Sequence, residues 1–227
     1  MQHLKEVGDY YEALAPVYDQ DRFGNTYGQF IHQQEEEILQ QFIGKPQGNE
    51  LRLDLGCGTG RLLHFGTHGL DYSQAMIDEA RKKHPTKVLQ QGSALAIPHF
   101  TKKFSSVFSF HLLMHLAERD IPKVFTEVDR ILDTKGVFVF DIPSAKRRQL
   151  TSYQAQNWHA AQSLSINDLK RILGGRWQVV DSQGVLFLPI HRFPNWLRQP
   201  VRWLDSLLCR SPWKEYASYL VIKIQKV

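Results

Sequence analysis

Residues 51–60 read Leu-Arg-Leu-Asp-Leu-Gly-Cys-Gly-Thr-Gly. A short apolar run ending in one acid, Asp54, passes into glycines at 56, 58 and 60. Such a run reads as a buried strand entering a turn whose backbone must approach another group closely, since glycine has no Cβ and reaches positive φ. Arg61-Leu62-Leu63 follow, able to open a helix whose N-terminus faces the turn. The spacing selects the chemistry. A dinucleotide fingerprint needs Gly-x-Gly-x-x-Gly, and here Arg61 holds the place of the third glycine. No Gly-x-x-x-x-Gly-Lys-Ser/Thr loop is present to cradle a triphosphate. The loop suits a nucleoside with an amino-acid-like tail better than a pyrophosphate.

The same ten residues resemble motif I of the class I S-adenosylmethionine-dependent methyltransferases, of the type that modifies small molecules. The resemblance implies S-adenosyl-L-methionine as cofactor and S-adenosyl-L-homocysteine as product. It also implies roles for particular residues. Asp71, in Gly69-Leu70-Asp71-Tyr72-Ser73, stands where the family has its second-strand acid, suited to two hydrogen bonds from a ribose diol. Tyr72 and Met76 would flank the adenine. Gln91-Gly92-Ser93-Ala94-Leu95-Ala96-Ile97-Pro98 resembles the third motif, with Ser93 in place of the family's aspartate. Its hydroxyl accepts a hydrogen bond more weakly than a carboxylate, and the backbone of Ala94 would help. Phe104 to Leu116 resembles the fourth motif and would bring Phe110, His111 and His115 near the methyl donor. Asp54 with the Gly56 and Gly58 backbone would meet the ammonium of the methionine tail. Cys57 and Gly60 complete that loop, Cys57 as a small residue. Tyr18 and Arg22, one helical turn apart, would meet the carboxylate; a surface ion pair of Arg22 with Asp19 or Asp21 competes with that role. His111, His115 and His191 are candidate bases. For His115 a packing role outweighs catalysis, because a lone histidine is weak evidence.

The elements that must position these residues follow from periodicity. Residues 9–42 carry apolar pairs at helical spacing, interrupted near Phe23-Gly24-Asn25. Strands are expected at 51–55, Lys87–Gln91, Ser106–Phe110 and Val137–Ile142. Helices are expected at 74–83, behind a Ser73 N-cap, and from Arg119 to Leu132, with Asp133 to Gly136 as a turn. Strand and helix alternate, which predicts a mostly parallel sheet with helices on both faces. Trp177–Leu188 and Tyr216–Ile224 read as two strands around a helix near 194–209, free to pair antiparallel. The resemblance fits this pattern: a Rossmann-like α/β fold, seven strands, the last antiparallel. One domain spans 1–227, with an N-terminal helical cap (1–48), a cofactor-binding core (49–145) and an acceptor-side region (146–227).

Composition sets the remaining bounds. The chain has 227 residues, 42% hydrophobic, enough for one domain with a real core. Its two cysteines, Cys57 and Cys209, lack metal spacing and suit a reducing compartment. No metal is expected. The N-terminus shows no apolar signal region and no run spans a bilayer, so a cytoplasmic enzyme is the simple expectation. A net charge of +5 permits an anionic partner without requiring one. Enzymes that methylate exocyclic amines of bases usually carry Asn/Asp-Pro-Pro-Tyr/Phe after strand 4, where this chain reads Ser-Phe-His-Leu, and no Pro-Cys nucleophile for pyrimidine C5 chemistry is present. The expected acceptor is therefore small or lipid-like. A tRNA-modifying enzyme and a non-catalytic S-adenosylmethionine sensor or assembly factor are the alternatives. The sequence sets no oligomeric state. Residues 190–209, rich in Trp and Arg, admit packing, an acceptor lid or peripheral membrane contact; packing outweighs the other two, and the lid is favoured over the membrane.

Overall fold

The computed structural model describes residues 2–153 and 161–227. Three helices form the N-terminal cap: α1 (Gln2–Leu14), α2 (Tyr18–Phe23) and α3 (Thr26–Phe42). The break expected near Gly24 is present. The Asn25 side chain caps α3 by accepting from the amides of Tyr27 and Gly28. A second break, at Ala15–Val17, contains Pro16, which supplies no amide to continue α1.

The core alternates as expected: β1 (Arg52–Leu55), β2 (His68–Asp71), α4 (Gln74–Lys83), β3 (Val88–Gln91), β4 (Phe104–Ser109), α5 (Ile121–Ile131) and β5 (Leu132–Pro143). Beyond it come α6 (Ala145–Thr151), α7 (Ile166–Leu173), β6 (Trp177–Val185), α8 (Arg198–Arg210) and β7 (Tyr219–Lys226). The strands form one sheet in the order β3-β2-β1-β4-β5-β7-β6. Six run the same way, and β7 inserts antiparallel between β5 and β6. Order reverses at β1, so a crevice opens at the carboxyl ends of β1 and β4, where ligands bind in open α/β sheets.

Two expectations are corrected. Arg61-Leu62-Leu63 do not open an α-helix, although the short connection to Asp71 does hold little more than one turn, as its length implies. Gly60 is followed by turns and a single 3₁₀ turn at Leu63–Phe65, because β2 begins at His68 and leaves no length for more. The turn expected at Asp133–Gly136 lies inside β5. Leu132 pairs with Phe104, then the register shifts before Val137 meets Ser106, with Lys135 at φ 62.

Apolar clusters fill both sides of the sheet. Leu53, Phe104, Phe138 and Phe140 pack with α5 and α7 on one side. Phe108, Val139 and Val221 pack with α3 on the other. The two faces are thereby covered, as a parallel sheet requires. Among the described residues no helix is long and apolar enough to cross a membrane.

Candidate functional site

The glycine loop leaves β1 and turns under β2. The amides of Gly56 and Cys57 both donate to the carbonyl of Leu70, at 2.7 and 3.1 Å. Gly56 and Gly58 hold φ values of +77° and +51°, which favour glycine. A Cβ on Gly58 would meet nothing closer than Met76 Sδ at 4.0 Å, so the loop leaves open space on its outer side.

Asp71, at the end of β2, ties two loops together. Its Oδ2 accepts from the Gly58 amide at 2.8 Å and its Oδ1 from the Ser73 amide at 2.9 Å. Burial raises its pKa above the ordinary carboxylate range, against the pull of these backbone donors. Ser73 caps α4 by accepting from Met76. Ser73 in turn donates to Glu12 at 2.5 Å, and the Ala75 amide also reaches Glu12. Helix α1 is thus fastened to the start of α4 by one carboxylate. Gly8 lies against the Tyr72 ring, where a Cβ would come within 2.7 Å.

These elements enclose a largely apolar pocket. Gly56, Gly58, Asp71, Tyr72, Met76, Ser93, Ala94, Phe110, His111, His115 and Tyr18 all line it. Helix α1 closes one side with Val7, Gly8 and Tyr11, which share one helical face. Tyr11 Oη and His115 Nε2 lie 3.0 Å apart in a hydrogen bond. Burial raises the pKa of the Tyr11 phenol, so it keeps its proton at neutral pH.

A smaller cavity adjoins, lined by Tyr18, Asp54, Cys57, Arg61 and His111 among others. Asp54 is buried, and burial first, then Asp71, pushes its pKa up to about 8 against the attraction of Arg61. Its carboxyl is mostly neutral at pH 7 and ready to ionise beside a cation. If it holds an ammonium, binding releases its proton. Affinity for S-adenosylhomocysteine should then rise between pH 6 and 7.5, by at most about tenfold per unit. Calorimetry in buffers of different ionisation enthalpy checks this. Asp54→Asn should flatten the rise, and an equally steep rise in that variant would remove Asp54 from the role.

Beneath the cavity runs a buried chain of charges. Arg61 reaches Glu35 at 2.6 Å and His32 at 2.7 Å, and stacks over Phe23 at 4.2 Å. Burial works to raise the Glu35 pKa, but Arg61 and His111 outweigh it and hold it down to about 2. His111 lies between two carboxylates. Its Nε2 is 2.7 Å from Glu35 and its Nδ1 is 3.4 Å from Asp141, whose Oδ1 also accepts the His111 amide at 2.6 Å. Burial opposes the charge on His111, yet the two acids carry its pKa above the usual histidine value. Donor atoms of the three lie within 4.8 Å of one another. The imidazole itself bridges the carboxylates.

Several expected site residues sit elsewhere. Arg22 does not line either cavity; it pairs with Asp21 at 3.2 Å and donates to Tyr10 at 2.6 Å. Arg61 is the cation beside Asp54 instead. Gly60 turns toward α4, with its carbonyl 2.9 Å from His84 Nε2, so it packs rather than faces the pocket. The Cys57 thiol points at β2, where a Cβ on Gly69 would come within 2.9 Å of it. His191 belongs to a separate cavity with Arg147 and Leu188, edge-on to Tyr27, because β6 ends before the loop that carries it. Sequence reasoning passed over Tyr11, Glu12 and Glu35. The helical spacing of α1 and α3 was visible, but which element each face meets was not.

Comparison with known proteins agrees with this geometry. Residues 53–140 match the family described as Methyltransferase domain. The chain is 31% identical over 144 residues to the uncharacterized protein MJ1252 of Methanocaldococcus jannaschii, covering 62% of this chain and about half, 53%, of that relative. It is 25% identical over 166 residues to the uncharacterized methyltransferase OB1106 of Oceanobacillus iheyensis, covering 69% of this chain and 78% of the other. Magnesium protoporphyrin IX methyltransferase (ChlM) from Synechocystis PCC 6803, solved with bound SAM, superposes with a TM-score of 0.66 at 13% identity, covering 100% of this chain and 98% of that one. The same protein has been solved with bound SAH.

Proposed function

We propose that this class I S-adenosylmethionine-dependent methyltransferase transfers its methyl group to a small or lipid-like acceptor held in the largely apolar pocket. The observation that carries the reading is convergence. Gly58, Asp71 and Phe110 come from the ends of three neighbouring strands and meet in one cavity. The residues fit the donor. The open side of Gly58 leaves room that any side chain would take, and Asp71 presents a carboxylate already oriented by two amides.

In this reading Asp71 holds the ribose diol, Tyr72 and Met76 flank the base, and Ser93 with the Ala94 backbone meets its edge. Asp54 takes the ammonium, and Tyr18 with Arg61 borders the tail. When bound, S-adenosylmethionine supplies an electrophilic methyl on a sulfonium. The chain's own contribution is alignment and exclusion of water. Phe110, Leu112, Leu95 and Leu116 give the pocket its apolar wall. Helix α1 covers it, and Glu12 pins that cover. His115, hydrogen-bonded to Tyr11, faces the same space and could receive a proton from the acceptor. His111 stands in ion-pair contact with two carboxylates and reads as a positioning residue.

The test is direct. Calorimetry should show binding of S-adenosylmethionine and S-adenosylhomocysteine, and incubation with labelled donor should transfer label to an amphipathic or apolar small molecule. Absence of binding at millimolar concentration would sink the enzyme reading. Transfer to tRNA alone would overturn the acceptor class, and binding without transfer to any acceptor would favour a sensor.

A further inference from the structure

Helix α8 is amphipathic the wrong way round for a soluble surface. Its inner face buries polar groups. Asp205 is fully buried and accepts from Gln34 Nε2 at 2.8 Å and the Leu188 amide at 2.7 Å. Cys209 lies beside it, and Arg202 stacks over Phe30 at 4.7 Å. The outer face is apolar. Trp203 is 68% exposed, Leu204 45% and Leu207 49%, with Trp196 at 77% on the preceding turn and Trp213 at 63% beyond the helix. On α8 itself Pro200, Trp203 and Leu207 step by three and four and share one face. A cluster of exposed tryptophan and leucine is an interaction surface more often than a neutral one. None of its members lines the methyl-donor pocket. Its inner face is packing; its outer face is exposed.

Charge identifies the occupant. Residues 190–214 contain Arg192, Arg198, Arg202, Arg210 and Lys214, and one acid, Asp205. That acid is turned inward. Among the described residues none of Arg192, Arg198, Arg202 or Arg210 has a carboxylate partner in an ion pair; Arg198 donates instead to the Phe193 carbonyl and Thr26. The surface thus pairs exposed tryptophan and leucine with the exposed arginines Arg192 and Arg210, while Arg198 and Arg202 are half-buried. We propose that it seats the protein on an anionic lipid surface, with Trp196, Trp203 and Leu207 entering the headgroup boundary and Arg192 and Arg210 on lipid phosphates. A second copy of the chain fits poorly, since a two-fold contact through this face would set arginine against arginine.

The full-length protein should co-sediment with phosphatidylcholine vesicles containing phosphatidylglycerol, far less with phosphatidylcholine alone, and less as salt rises. Tryptophan emission should shift to the blue on binding. Trp196→Ala/Trp203→Ala should weaken vesicle binding about tenfold or more, and Arg192→Gln/Arg210→Gln should remove most of the salt dependence. Both pairs of positions are on the surface, and an unchanged melting temperature verifies folding. No binding to anionic vesicles at low salt would overturn the proposal. So would vesicle binding that the tryptophan variant leaves unaltered, or a dimer or tRNA complex that this variant abolishes while vesicles are ignored. Methyl-donor binding is read separately, because these side chains stand outside that pocket.

Discussion

Arg61→Ala is expected to cost about 3–5 kcal/mol of folding stability, the scale for removing one partner of a buried ion pair. The guanidinium and the Glu35 carboxylate are 13% and 2% exposed, 2.6 Å apart. Without the arginine, Glu35 keeps His111 at 2.7 Å, while His32 and the Phe23 face lose their partner. The pH dependence is specific. Glu35 is held down to about 2 against an ordinary 4.5. Its ionisation therefore stabilises the fold fully above pH 4.5, and that contribution disappears as pH falls toward 2. The parent should lose stability across that window, and Arg61→Ala should lose less there, having less to forfeit. Urea unfolding at pH 7 and pH 3 measures both effects. A loss below about 1 kcal/mol at pH 7 would show that the pair is not structural. Glu35→Gln/Arg61→Met, which removes both charges together, should recover much of the loss. The double variant also separates folding from ligand binding, since Arg61 borders the cavity where the methionine tail is placed.

The charge network explains what the sequence could and could not reveal. The glycine loop, Asp71, Tyr72, Met76, Ser93 and Phe110 were legible because each lies within a local strand-to-turn pattern. Their backbone surroundings are set by neighbours a few residues away, and the sheet places every such turn on the same edge. Glu35, Arg61, His111 and Asp141 carry no such signature. Glu35 stands 26 residues before Arg61, and Asp141 stands 30 after His111. Only sheet order and the packing of α3 bring them together. His111 also adopts φ 58, uncommon for a non-glycine residue, and nothing in Ser-Phe-His-Leu announces it. Arg22 and Arg61 could not be ranked from spacing alone, since helical proximity to Tyr18 favoured the one that the fold leaves outside. Helix α8 packs, but which face it buries was not legible. Apolar periodicity marks a face, but burial followed the hydrogen bonds that Asp205 makes to Gln34 and Leu188, and the tryptophans were left outward.

Asp71→Ala should weaken S-adenosylhomocysteine binding by at least the worth of charge-assisted hydrogen bonds, about 1.5–3 kcal/mol, or roughly tenfold to 150-fold in Kd. The structure makes this a lower bound. Both carboxylate oxygens also organise the protein: Oδ2 holds the Gly58 amide and Oδ1 the Ser73 amide. The alanine variant frees the glycine loop and the cap of α4 together, so the loops that shape the pocket must be ordered at the expense of binding. Asp71→Asn is not a mild control. Its amide keeps one acceptor and turns a donor toward the second backbone N–H, whichever way it flips. It should therefore bind as poorly as alanine despite its shape. A ribose contact alone would let asparagine retain part of the affinity; a carboxylate that both binds and organises would not. Calorimetry on the two variants, with melting temperatures alongside, separates these outcomes. Parent-like binding by either variant would place the cofactor away from the end of β2.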